Sequence, residues 1–214
     1  MDNIEISDTL HNGMSLSATD FRPLVYAGKN ISVFNVAGAG IFVDTPGNCA
    51  NRDQNAFSHT NIHGTRGPGV VVLNGGACFF HALIATTRLA GIFAEGAAVL
   101  VQDSRIYFSS ADLQTGNFGD GVAVYPGVAP SHVVLVNTKI QFSARAGVAN
   151  FGSLVELFGV KIQCAAFELE GERLDGFNFV FNDGGGNVCG CPLANSPCVA
   201  VSAGLEAPSM TPSE

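Results

Sequence analysis

One short pattern returns seven times along the chain, and it limits the possible folds more than any other feature. An Ile or Val recurs at Ile6, Val33, Ile62, Ile84, Ile106, Ile140 and Ile162, at spacings of 27, 29, 22, 22, 34 and 22 residues. Three intervals equal 22, and the longer ones read as the same unit carrying loops. A glycine follows each time: Gly13, Gly40, Gly69, Gly91, Gly121, Gly147 and Gly176. Five of the seven lie seven residues after the Ile or Val; Gly121 and Gly176 lie at 15 and 14, which reads as an insertion before each. Three residues before the Ile or Val stand Asn3, Asn30, His59, His81, Asp103, Asn137 and Gly159. Asn, Asp and His are the side chains enriched in the left-handed region, and Gly enters it freely, so every unit is expected to turn a tight corner with φ > 0 there.

Between the corners lie runs such as VLVQDSRIYF, HVVLVNTKIQF and SLVELFGVKIQC, rich in β-branched and aliphatic residues. These are strand-like, and their frequent interruptions leave no room for helices of ordinary length. A unit of 22 residues cannot bury its own apolar side, but it can do so stacked on copies of itself, with parallel strands ~4.8 Å apart. The expected architecture is all-β: a parallel β-helix (β-solenoid) of about seven coils, each with three short strands, over residues 1–183. A Gly- and Cys-containing cap segment is expected at 184–202, and a disordered tail at 203–214.

Composition supports this and removes other classes. The chain has 214 residues, of which only 13% are charged and 47% hydrophobic, with 26 glycines. That excludes an acidic disordered tail, a coiled coil and a basic nucleic-acid arm. Ten Lys and Arg against 18 Asp and Glu give a net charge of −8, which argues against DNA or anionic lipid as partner. The apolar runs are far shorter than the roughly 20 residues of a membrane span. Neither a basic nor an apolar leader stands at the N-terminus, MDNIEISDTL. Of the six cysteines, Cys189, Cys191 and Cys198 cluster in the C-terminal segment, where a small disulfide loop involving Cys198 is expected. Cys49 stands apart, while Cys78 and Cys164 sit in strand patterns and read as small core residues.

The units VLVQDSRIYF, VVLVNTKIQFSARAGV and AGIFAEGAAV resemble the right-handed parallel β-helix proteins of the pectin-lyase-like superfamily. The resemblance covers about residues 1–183 and implies a right-handed coil. It also implies a C-terminal portion of a larger secreted bacterial protein, placed outside the cell or on its surface. It says little of activity, because that superfamily holds lyases, hydrolases, epimerases, tailspikes and adhesins. Nothing in the chain matches the superfamily's paired-Asp hydrolase motifs, its Asp-rich epimerase signature or its lyase-type Trp-x-Asp-His segment, and Trp is absent.

Three constellations deserve weighing. His59, His81 and Asp103 form one file, but as corner residues they need no further role. Arg105, Lys139 and Lys161 precede the Ile in the last three units and should form an outward basic file; the resemblance implies that such a row would suit an acidic sugar. The sharpest candidates are the carboxylates of the two insertions: Asp112 and Asp120 before Gly121, and Glu168, Glu170, Glu172 and Asp175 before Gly176, with Arg145 between. Facing carboxylates two coils apart, ~9.6 Å, could hold Ca²⁺ or serve as the acid and base of an inverting glycosidase. Arg145 could grip a sugar carboxylate. The reading that follows is a secreted or cell-surface structural and recognition module for a polysaccharide or surface glycan, with an N-terminal coil open to end-to-end contact. The alternative is a polysaccharide lyase or glycoside hydrolase whose catalytic residues come from Asp112, Asp120, Arg145, Glu170 and Asp175.

Overall fold

Every expected corner turns as its residue type requires. In the computed structural model, which describes residues 2–17, 26–46, 55–191 and 196–207, Asn3, Asn30, His59, His81, Asp103, Asn137 and Gly159 have φ between 47° and 64°. Their side chains form an external file. Asn30 Nδ2 donates to Asn3 Oδ1 (3.0 Å), the His59 and His81 rings lie 5.0 Å apart, and Asn137 Nδ2 donates to Asp103 Oδ1 (3.1 Å). The His–Asp column is thus a turn file.

The first coil is β1 (Asp2–Ser7) and β2 (Met14–Ser17); the second is β3 (Ala27–Phe34) and β4 (Ile41–Asp44); the third is β5 (Ala56–His63) and β6 (Val70–Leu73). From the fourth coil the corner separates three strands: β7 (Gly76–Phe80), β8 (Leu83–Arg88) and β9 (Ala90–Glu95). The fifth holds β10 (Ala98–Gln102), β11 (Arg105–Ser110) and β12 (Asp120–Tyr125). The sixth holds β13 (His132–Val136), β14 (Lys139–Gln141) and β15 (Ala146–Phe151). The seventh holds β16 (Leu154–Phe158), β17 (Lys161–Gln163) and β18 (Phe167–Glu172). The short strands β19 (Val180–Asp183), β20 (Val188–Cys189) and β21 (Ala200–Val201) pair with β16, β17 and β18 and add a further layer. All these pairings are parallel, and no helix occurs among the described residues.

Like residues stack on like. Register joins Ile6 to Val33, Val33 to Ile62, and then Ile84, Ile106, Ile140, Ile162 and Cys189 in turn. From Val33 to Ile162 every member of this interior file is fully buried. The anchor glycine has a steric cause. A Cβ on Gly91 would stand 2.3 Å from Ile106 Cγ2 and 2.6 Å from the Gly121 carbonyl oxygen, and a Cβ on Gly121 would meet Ile140 Cγ2 at 2.3 Å and the Gly147 oxygen at 2.6 Å. Each glycine is the hollow into which the next coil's β-branched methyl fits.

The seventh coil corrects the expected register. Gly176 lies in an exposed turn with nothing near its Cβ direction, and the place above Gly147 is taken by Glu168. Residues 167–172 are therefore the third strand of their coil rather than an inserted loop; the extra residues come after it. Among the cysteines the expected small loop through Cys198 forms, but the two read as core residues depart from expectation. Cys164 pairs with Cys191 (Cα–Cα 4.7 Å) and Cys189 with Cys198 (4.9 Å), while Cys78, fully buried, is also disulfide-bonded. Cys78 and Cys164 are thus each held in a disulfide of its own, and the Cys189–Cys198 bridge stands at the end of the interior file. Cys49 and residues 208–214 of the expected tail lie outside the described residues.

Candidate functional site

The outer face of the eight-stranded sheet (β2, β4, β6, β9, β12, β15, β18, β21) is where charge and apolar surface meet. Alternation along each strand sends one set of side chains outward. Ala90, Val71, Phe93, Ala123, Tyr125, Ala146, Ala149 and Phe151 form a second apolar cluster there, joined by Phe118 from the loop that precedes β12. Phe93, Tyr125 and Phe151 stack at 5.0 and 4.8 Å.

Arg145 reaches across this surface. Its Nε and Nη2 donate to the two oxygens of Asp120 at 2.9 and 2.5 Å, and the Ala146 N–H donates to the same carboxylate at 3.1 Å. The guanidinium carbon lies 5.8 Å from the ring centres of both Phe118 and Phe151. Asp120 is fully buried; desolvation pushes its carboxyl up, opposed by Arg145 and the Ala146 amide. Burial likewise pushes the Tyr125 phenol up, and the Asp120 carboxylate adds to the effect. Two expected site residues are therefore brought together, but they are spent on one another: the Arg145 fork is satisfied by Asp120 and does not await a ligand's carboxylate.

Glu170 joins them from the seventh coil. It is fully buried and no donor reaches either of its side-chain oxygens; its hydrogen-bond partner is the Glu172 carboxylate, to which it can donate only when protonated. Burial pushes its pKa up to about 8, with Glu172 and Asp120 adding to the rise and Arg145 opposing it. Glu172 behaves in the opposite way. Its carboxylate accepts from Ser202 Oγ at 2.9 Å and from the Gly204 N–H at 2.5 Å. Although burial raises its pKa, the hydrogen bonds from Gly204, Ser202, Glu170 and Leu205 outweigh that, and it falls.

The remaining candidates stand apart. Asp112 closes its own turn, accepting from the Gln114 and Thr115 amides at 2.9 and 2.7 Å; these bonds hold it below the usual carboxylate range. Asp175 is exposed at the tip of the turn bridged by Leu174 and Phe177, with φ 50°. Among the described residues no three His, Cys, Asp or Glu side chains gather into a metal-holding group.

The basic file forms as expected. Arg105 pairs in register with Lys139, and Lys139 with Lys161. With Asp103, Ser104, Asn137, Thr138 and Gly159 they line an open groove of about 410 Å³ beside the αL corner. Asp103 is engaged with Gln102 and Asn137, and the ion pairs among the described residues are His132–Glu156 and Arg145–Asp120, so the three cations have no carboxylate partner there. Two residues along the same strands, Tyr107, Gln141 and Gln163 stand in register, with Gln141 Nε2 donating to Gln163 Oε1 at 2.6 Å.

Sequence reasoning missed a second αL file, two residues after the interior Ile: Asp8, Asn35, Gly64, Thr86, Phe108, Phe142 and Cys164, all with positive φ. Its first three members carry the usual αL chemistry; the last four do not, so composition hid it. There Phe108 and Phe142 stack face to face at 5.0 Å, about half exposed.

No protein-family model and no curated protein sequence matches the chain. Among solved structures, the pectate lyase Pel9A superposes with a TM-score of 0.51 at 9% identity, over 95% of this chain and 52% of that chain. The A-module of the mannuronan C-5 epimerase AlgE6 of Azotobacter vinelandii does so with a TM-score of 0.41 at 15% identity, over 89% of this chain and 59% of that one. The chain thus spans about half the length of the pectate lyase. The likeness to Pel9A shows the fold class: a parallel β-helix of the pectate-lyase type.

Proposed function

We propose that this β-helix is a secreted or cell-surface recognition module that binds an acidic glycan along the Arg105–Lys139–Lys161 file. The observation that carries the reading is three cations on successive coils, in register, lining one groove without carboxylate partners among the described residues. An extended polymer with a negative group on each sugar can place several charges along such a file. Tyr107, two residues along from Arg105 on the same strand, offers an aromatic surface beside it. The net charge of −8 opposes long-range attraction. At contact the local cations dominate, because exposed charges beyond ~8 Å are screened at physiological salt. The disulfides support an oxidising compartment outside the cytosol.

The test is binding to a carboxylated or sulfated polysaccharide against a neutral one, by calorimetry at low and high salt. Lys139→Glu is expected to weaken acidic-glycan binding by about tenfold or more, since a hydrogen bond to a charged group contributes ~1.5–3 kcal/mol. Equal affinity for the neutral polymer, or indifference to Lys139→Glu, overturns the reading. The enzyme alternative draws on the meeting of Asp120, Arg145 and Glu170. It requires new reducing ends or unsaturated uronate after incubation with the polymer, and their loss in Glu170→Gln.

A further inference from the structure

Residues 202–207, which follow β21, run across the outer face of the eight-stranded sheet. They are held at two places. Ser202 and Gly204 bind the Glu172 carboxylate, and Ala207 packs against the apolar cluster of Phe93, Tyr125 and Phe151. Two residues before Glu172 on the same strand lies Glu170. It lies between Ala149 of the coil below and Val201 of the layer above, its pairing partners in β15 and β21, with both oxygens buried and reached by no donor; the neutral carboxyl can donate to Glu172, and the ionised one cannot.

We propose that residues 202–207 are a proton-controlled strap, closed over the eight-stranded sheet while Glu170 is neutral and released when Glu170 ionises. An ionised carboxylate cannot stay in a dry site without partners; it must acquire water or neutralise. The groups that bear on Glu170 favour the neutral form on balance. Glu172 on its own strand and Asp120 on β12 repel a second negative charge, and Arg145 is already committed to Asp120. Tyr125 of β12 feels the Glu170 charge through its own raised pKa, β21 brings no ionisable side chain, and the strap's Glu206 is exposed. Lifting the strap is the simplest way to admit water, because it is the outermost layer and Leu205 and Ala207 are only half-buried. The two glutamates thus divide the work: Glu172 must be charged to hold the strap, and Glu170 must be neutral beneath it. They titrate as a coupled pair.

The sign follows from proton counting. The closed state holds the Glu170 proton up to about pH 8, whereas an opened, hydrated Glu170 returns toward its ordinary value of 4.5. Opening therefore releases a proton, and it becomes about tenfold easier per pH unit between those limits, then levels off. Amide hydrogen exchange of the intact protein reads this directly. The protection of Gly204 and Leu205, corrected for the intrinsic rate, is expected to fall by about tenfold per unit from roughly pH 5 to 8. Core amides such as those of Ile106 and Ile140 keep theirs, and Glu170→Gln holds the strap protected throughout. Strap protection that is flat with pH in the wild type overturns the proposal. So does a fall that the core amides share, or one that persists in Glu170→Gln.

Discussion

Gly121→Ala is expected to lower stability by about 3 kcal/mol or more, at or beyond the upper end for overpacking a filled core. The backbone at Gly121 does not require a positive φ, so the penalty comes from contact alone. The new methyl would stand 2.3 Å from Ile140 Cγ2 and 2.6 Å from the Gly147 carbonyl oxygen. The second atom is backbone of the next coil and cannot move without shifting that coil. For a chain of this size the loss corresponds to a fall in Tm of about 6–12 °C. Ile140→Leu removes the branching methyl, so Gly121→Ala combined with Ile140→Leu should lose less than the sum of the two single changes; the carbonyl contact prevents full recovery. Thermal unfolding of the four proteins in that cycle checks the result. A loss below about 0.5 kcal/mol for Gly121→Ala, in the range of an ordinary surface change, would mean that Gly121 is not the hollow under Ile140.

Asp120→Ala should be of similar size, about 3–5 kcal/mol, for an electrostatic reason. Removing the carboxylate leaves the Arg145 guanidinium between Phe118 and Phe151 with its fork unpaired, and leaves the Ala146 N–H without its acceptor. The penalty belongs to the stranded charge. Replacing both partners, Asp120→Leu with Arg145→Met, should therefore recover most of the loss, because a buried pair exchanged for apolar side chains of similar volume is often neutral. Denaturant unfolding of the single and double variants separates the two accounts. If the double variant is as unstable as Asp120→Ala, the pair is holding the coil-five loop in place through more than mutual neutralisation.

The fold was legible because its causes are local and repeated. An αL corner selects Asn, Asp, His or Gly in any coil, and a β-branched file selects Gly where its methyls intrude; both leave the same residue types at regular spacing. Legibility failed where one coil departed from its neighbours. Gly176 follows an apolar run at nearly the inserted spacing of Gly121, so the pattern pointed to it. The place is held by Glu168, because Ile162 Cγ2 packs against Gly147 from one side only and the last full coil has no Ile file of its own above it. Phe108 and Phe142 occupy αL positions that their chemistry does not advertise, with their mutual stacking in place of local propensity. The candidate site was half readable. Asp120, Arg145 and Glu170 were selected for charge, yet composition alone could not show that Phe118 joins the apolar cluster around Ala123 and Ala149, or that the segment after β21 binds Glu172 and packs on that cluster.

All of this rests on coils stacked in register, and methyl-to-methyl nuclear Overhauser contacts probe that at atomic range. With the isoleucine methyls labelled, Ile84 should show contacts to Ile106, Ile106 to Ile140, and Ile140 to Ile162, each across one strand spacing of ~4.8 Å, with none from Ile84 directly to Ile162. A missing link between any of these neighbours, or a contact joining the two ends of the series, would contradict the stacked interior on which the groove, the buried ion pair and the strap all depend.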